Sequence, residues 1–297
     1  MNPGHIGPDN RGPPMRASLL LFPVCTMLIV SSTRAAEGHE GETQTPILKT
    51  ASGYPMQYYI SLPKGWTPAK KWPVVVTLDG ESKQWLANAD TFAAARGNLQ
   101  FIIVTPLILT NGEMAENSRL PNYHYPDSVW KIVEKVGPAV FDQEGLKAVA
   151  EDVARLYGGQ EKYFLTGYSA GAHLMWMMVF MHPGALAGAA SACGNFSGRG
   201  ITSFSEAKEG RGLPLRGFIG TLDDARFGPG GPKQKIRLMV PMSLVPREYG
   251  LQGEFEYAAK LARIHGYRNF SLRVMPRRGH EPFARDVLLW FNAIRKK

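Results

Sequence analysis

Only two cysteines occur in 297 residues, Cys25 and Cys193, too few for a disulfide framework. Long apolar runs are equally scarce. Beyond the N-terminal segment the longest is Leu174 to Met181, far below the roughly 18–20 residues that cross a bilayer, which excludes a multi-span membrane protein. No internal repeat of about 20–50 residues is present, so solenoids and propellers are disfavoured. No histidine, cysteine or carboxylate cluster has metal-ligand spacing, and no aromatic RNA-binding signature accompanies the basic residues.

What is present is ordinary globular material. Apolar residues make up 44% and charged residues 20%, enough for a sizeable core in one large domain or two small ones. The net charge is +9, densest near the C-terminus at Arg268, Arg273, Arg277, Arg278, Arg285, Arg295, Lys296 and Lys297. The excess is thinly spread and reads as solvated surface. A nucleic-acid partner is not expected.

The N-terminus reads as an address. From Met15, Arg16 gives a short positive region and Ala17 to Val30 a mainly apolar core. Thr33-Arg34-Ala35 then places small residues where a signal peptidase cuts. Residues 1–35 are therefore expected to be a secretory signal, with 1–14 a possible upstream extension from an earlier start codon. The other reading is a retained anchor, which Pro23 opposes. Cleavage after Ala35 leaves Cys193 as the sole cysteine, without stable membrane association, in a secreted or periplasmic chain.

Residues 36–297 alternate strand and helix. Strands are predicted at Met56–Leu62, Val74–Leu78, Phe101–Leu109, Tyr163–Thr166, Ala185–Ala192, Leu215–Ile219 and Phe270–Val274. Helices are predicted at Asn88–Arg96, Asp142–Tyr157, Ala170–Met181, Glu254–Ile264 and Pro282–Ile294. This order implies an α/β fold with a mostly parallel central sheet and helices on both faces. Three stretches break the alternation: 110–141, 197–213 and 225–250. Each follows a strand, and loops after parallel strands surround the ligand crevice of such folds. They are expected to wall a site or, failing that, to be surface loop.

Gly167-Tyr168-Ser169-Ala170-Gly171 matches G-x-S-x-G directly between a strand and a helix, the context a nucleophile elbow requires. The glycines leave room for a sharp turn, and the helix N-terminus favours a developing anion beside Ser169. A serine hydroxyl needs a base. Of seven histidines, His280 follows the last strand and precedes the last helix. His173, one turn past Ser169, reads as a packing or hydrogen-bonding residue. The carboxylate that orients the base is expected after Leu215–Ile219, where Asp223 has the better offset and Asp224 is the alternative. An oxyanion hole needs two N–H donors. Ala170 supplies one, and Glu81, or Gly80 as second choice, the other. Gly80, Tyr168, Tyr123 and Trp130 are candidate substrate contacts, with Tyr125 part of the same aromatic wall. The bland reading of those aromatics is loop packing.

On these residues the chain resembles the α/β-hydrolase superfamily, and most of all its secreted esterases of the esterase D, polyhydroxyalkanoate-depolymerase-like and feruloyl-esterase-like groups. The resemblance is carried by Tyr58 through Trp66, Val74 through Gly80, Gly167 through Gly171, Met181-His182-Pro183, Gly220 through Asp223 and Gly279-His280, and it spans nearly all of residues 50–297. It implies a serine carboxylic ester hydrolase with the triad Ser169, Asp223 and His280, working through an acyl-enzyme on a small-molecule or polymer-linked ester. Neither cofactor nor metal is expected. Asp79-Gly80 stands where many such esterases carry His-Gly, and the insert at 225–250 is longer than a minimal core needs. A prolyl-oligopeptidase-like peptidase and a non-catalytic binding module on the same fold are the competing readings. Oligomeric state is left open.

Overall fold

The computed structural model describes residues 45–111, 123, 125–194, 196, 198–205, 209–223 and 251–296. The expected signal segment, Asp224 and the stretch 225–250 lie outside the described residues, as does most of the loop between 111 and 125.

Among the described residues eight strands form one sheet: β1 (Ile47–Thr50), β2 (Gln57–Ser61), β3 (Val74–Leu78), β4 (Ile102–Pro106), β5 (Tyr163–Tyr168), β6 (Leu186–Ala192), β7 (Leu215–Gly220) and β8 (Phe270–Met275). Their spatial order is β1-β2-β4-β3-β5-β6-β7-β8. β2 runs antiparallel to both β1 and β4, and every pairing from β4 to β8 is parallel. The expected α/β architecture with a mostly parallel sheet is therefore the observed one.

The helices are α1 (Trp85–Arg96), α2 (Asp127–Val136), α3 (Pro138–Leu156), α4 (Ala172–Met181), the single turn α5 (Glu209–Gly212), α6 (Leu251–Ile264) and α7 (Ala284–Ile294). Successive strand residues point to opposite faces, so β3 splits its side chains between two cores. Val75 joins Phe92 of α1 and Val287, Leu288 and Phe291 of α7 on one face. Val74, Val76 and Leu78 join residues of α2, α3, α4 and α6 on the other. Burial on both sides explains the unbroken apolar reading of β3 and β4.

Several boundaries move. β1 was not expected from the sequence; all four of its residues are exposed, so it carries no apolar signature. α1 begins at Trp85 rather than Asn88, because the loop before it is fixed by Asp79, whose carboxylate accepts the Gln84 N–H at 2.5 Å. α2 lies inside a stretch expected to break the alternation. Its Val129, Trp130 and Val133 are buried at helical spacing. Gly137, at φ 84°, separates it from α3, which starts at Pro138 instead of Asp142. Pro fits that first turn because its missing N–H has no helical partner there.

Candidate active site

Ser169 stands at the C-terminal end of β5, in a single 3₁₀ turn (Ser169–Gly171) that leads into α4. Its φ is 49°, a left-handed conformation that L-residues adopt at a cost of order 1 kcal/mol and that recurs at functional turns. The flanking glycines are sterically required. A Cβ on Gly167 would lie 2.6 Å from the Ala172 Cα, and one on Gly171 would strike the Asp79 carbonyl oxygen. Larger residues at either position would push the turn out of its path between β3 and α4. Ser169 is partly exposed while Ala170 is buried.

Asp223 and His280, 57 residues apart in the chain, meet at the ends of β7 and β8. His280 Nδ1 lies 3.0 Å from both carboxylate oxygens of Asp223. The Asp223 side chain is fully buried, while that of His280 keeps 23% of its surface exposed. An ionised carboxylate only accepts, so Nδ1 carries the proton and Nε2 is left as an acceptor. The two loops are bound together by hydrogen bonds to their main chain. The Leu222 N–H donates to the Arg278 carbonyl at 3.0 Å, and the Arg277 N–H to the Thr221 hydroxyl at 2.9 Å. Gly220 makes the approach possible, since a Cβ there would overlap the Arg278 carbonyl. Tyr168, a candidate substrate contact, donates its hydroxyl to the His280 carbonyl at 3.1 Å and sets its ring beside the imidazole, with centroids 5.2 Å apart. It ties the elbow to the histidine loop.

Cys193, at the end of β6, is the third group in this corner. Its Sγ, the Asp223 carboxylate and a His280 ring nitrogen lie within 4.8 Å of one another. Metal binding needs a thiolate. Burial and the neighbouring Asp223 carboxylate push the Cys193 thiol up to about 12, so it stays protonated at neutral pH. Its Sγ–H faces the Gly279 carbonyl at 3.7 Å.

On the other side of Ser169 is the loop after β3. Gly80 packs against the elbow so closely that a Cβ would sit 3.1 Å from the Ser169 Cβ and 3.3 Å from the Tyr168 ring. Gly80, the second choice for the oxyanion hole, is thus beside the serine, and Glu81, the first choice, is the next residue. Asp79 is buried and structural. Burial raises its carboxyl above the usual range, against the Gly80, Gln84 and Ser82 hydrogen bonds that lower it.

Tyr123 and Trp130, expected to line the crevice, are only 7% and 6% exposed. The Tyr123 hydroxyl donates to the Ile108 carbonyl at 2.5 Å, and Trp130 Nε1–H to the Tyr125 carbonyl at 3.1 Å. The rings pack on one another and on Trp85. In the described residues they build the loop's interior, the bland reading of the two. His173 is buried and held well below the usual histidine range, at about 3, by desolvation and then by Arg199. It packs, as expected.

Two further residues near the site carry no motif in the sequence. Asp142, fully buried in α3, accepts the Leu109 N–H at 2.9 Å and the Thr110 N–H and hydroxyl at 2.8 and 2.7 Å. Burial pushes its carboxyl up to about 7, against those hydrogen bonds. Asn111, fully buried, donates to the Gly80 carbonyl at 2.7 Å.

No protein-family model matches the sequence, nor does any curated protein. Solved structures do match. The poly(3-hydroxybutyrate) depolymerase LpqC of Bordetella parapertussis is 19% identical, with a TM-score of 0.52 over 86% of this chain and 91% of that one. A dienelactone hydrolase of Anabaena variabilis is 11% identical, with a TM-score of 0.51 over 86% of this chain and 99% of that one. Poly(aspartic acid) hydrolase-1 of Sphingomonas sp. KT-1 is 15% identical, with a TM-score of 0.50 over 86% and 98%. Sheet order, elbow and structural neighbours agree: the chain has the α/β-hydrolase fold.

Proposed function

We propose that this chain is a serine carboxylic ester hydrolase with Ser169 as nucleophile, His280 as base and Asp223 as the group that orients it. The observation that carries the reading is the Asp223–His280 pair, 3.0 Å apart through Nδ1, on the same sheet edge as the strained Ser169. The structural neighbours, hydrolases by their names, support it at the level of fold.

In this mechanism Ser169 Oγ attacks the ester carbonyl carbon as His280 Nε2 takes the hydroxyl proton. The oxyanion is held by the Ala170 and Glu81 N–H groups. Collapse expels the alcohol, which leaves with the proton from His280. Water then attacks the acyl-enzyme, giving its proton to Nε2, and the acid departs from a regenerated Ser169. Asp223 stays ionised throughout and stabilises the imidazolium. The cycle uses no cofactor. The substrate class is a small-molecule or polymer-linked ester, and the site of action is outside the cytoplasm, as the N-terminal segment suggests.

Fluorophosphonate labelling tests the nucleophile. The purified chain should be labelled once, and Ser169→Ala should abolish labelling and lower ester turnover at least about 10³-fold while leaving thermal unfolding in place. Near-wild-type turnover in that variant overturns the reading. A panel of chromogenic acetyl, butyryl and feruloyl esters beside matching amides separates esterase from peptidase.

A further inference from the structure

We infer that Asn111 is a positioning residue for the oxyanion hole: by gripping the Gly80 carbonyl it aims the Glu81 N–H at the other end of the same peptide unit. This rests on the ester-hydrolase reading above and deepens it.

The physical basis is the planarity of the peptide bond. In a trans peptide the carbonyl of one residue and the N–H of the next point in opposite directions within one plane. Whatever fixes the Gly80 oxygen therefore fixes the Glu81 hydrogen. Two donors hold that oxygen, Asn111 Nδ2 at 2.7 Å and the Lys83 N–H at 3.2 Å. A carbonyl only accepts, so the Asn111 NH₂ group must face it, which assigns the orientation of the amide.

Asn111 is itself held from behind. It follows directly on Leu109 and Thr110, whose N–H groups are gathered by the buried Asp142 carboxylate. The Tyr123 hydroxyl closes the loop on the Ile108 carbonyl. Asn111 is fully buried, so water does not compete for its amide. A chain of buried hydrogen bonds thus runs from α3 through the loop after β4 to the peptide beside Ser169. A Cβ on Gly80 would lie 3.1 Å from the Ser169 Cβ, so this residue packs beside the nucleophile's side chain. Asn111 does not touch the substrate. It acts through the Gly80–Glu81 peptide, and such donors must be aimed before the charge develops.

The test compares wild type, Asn111→Asp and Asn111→Ala. The aspartate has nearly the same shape but no proton to donate; the alanine removes the group without adding a buried charge. Each is assayed for p-nitrophenyl acetate hydrolysis, for binding of an aryl trifluoromethyl ketone, which forms an oxyanion on the serine, and for binding of the matching amide, which does not. Thermal unfolding is followed in parallel. Both variants should lose about 10- to 100-fold in kcat and the same factor in ketone affinity, while KM and amide affinity change less than about twofold. A purely structural role would instead lower ketone and amide binding together, in step with the unfolding midpoint, and that result overturns the inference. So does wild-type ketone affinity in whichever variant folds. If the wild-type chain neither hydrolyses the ester nor binds the ketone, the ester-hydrolase reading fails and takes this one with it. If wild type does both and the variants match it, only the role of Asn111 falls.

Discussion

Around Gly80 the chain is held by buried polar side chains. Asp79 caps the loop after β3, Asn111 grips its carbonyl, and Asp142 gathers the loop behind. Around His280 main-chain groups carry most of the contact, with the Thr221 and Tyr168 hydroxyls each pairing with one of them. Leu222 donates to the Arg278 carbonyl, Gly220 lets the two loops touch, and Tyr168 reaches only a main-chain oxygen. The difference has a cause in the topology. The loop after β4 is held by the Asp142 side chain of α3, and the loop after β3 is held in turn by Asn111. The Asp223 and His280 loops leave neighbouring parallel strands β7 and β8 in register and are brought side by side by the sheet itself. One half of the site is therefore vulnerable to loss of side chains, and the other to gain of them.

The largest expected effect breaks the first half. Asp142→Ala strips the partner from two N–H groups and the Thr110 hydroxyl. Each orphaned buried donor costs about 1–3 kcal/mol, so urea unfolding should show a loss of about 3 kcal/mol or more. A loss below about 1 kcal/mol would mean that this loop is not held from α3. Next comes the second half. Gly220→Ala adds one methyl group against the Arg278 carbonyl and should cost about 2 kcal/mol in the same assay. Activity should fall more than that figure suggests, because the Asp223–His280 pair moves with the backbone.

His173, on the helix that follows Ser169, gives a pH test common to both halves. Its folded-state value of about 3 lies below the ordinary 6.5 of the unfolded chain, so between these the unfolded state binds a proton that the native state refuses. Its contribution is intact above about pH 6.5 and is lost as pH falls toward 3, at up to about 1.4 kcal/mol per pH unit. His173→Gln should flatten that slope in unfolding curves taken from pH 7 to pH 4. An unchanged slope would show that another group carries it. The smallest effect is at the surface. Arg278 pairs with Glu281 through two contacts of 2.5 and 2.6 Å, yet its side chain is 42% exposed. Arg278→Ala should change stability by less than about 1 kcal/mol, since only its main chain holds the His280 loop. A larger loss would blur the contrast between the halves.

The contrast also explains what could be read in advance. Gly167, Gly171 and Gly220 are required by close backbone approach, and glycines at strand ends stand out in a sequence. So do a serine between two glycines and a histidine between a strand and a helix. Parallel strands buried on both faces announce themselves as β-branched runs, which is why β3 and β4 are legible. The polar scaffold on the other side has no such mark. Asp142 reads as a helical residue and Asn111 as one polar residue in a loop, because their roles depend on contacts 31 to 33 residues away. Tyr123 and Trp130 were legible as an aromatic group but not as an interior one: clustering says that rings meet, not whether water or protein covers them. α2 had a readable Val129-Trp130-Val133 spacing, obscured by the Pro- and Tyr-rich residues before it. β1 had nothing to read.

That unannounced strand bears on how the molecule behaves among copies of itself. A sheet with open ends offers unpaired main-chain groups to any neighbour, the usual start of aggregation. Here the two end strands are β1 and β8. β1 is four residues long, exposed throughout and carries Lys49. β8 carries Arg273 among partly exposed positions. A short strand gives little to pair with, and a cation on each end strand sets like charges against each other when two such edges approach, in a chain whose net charge is already +9. The sheet's two margins thus disfavour edge-to-edge pairing, a property quite separate from the edge that carries Ser169 and His280.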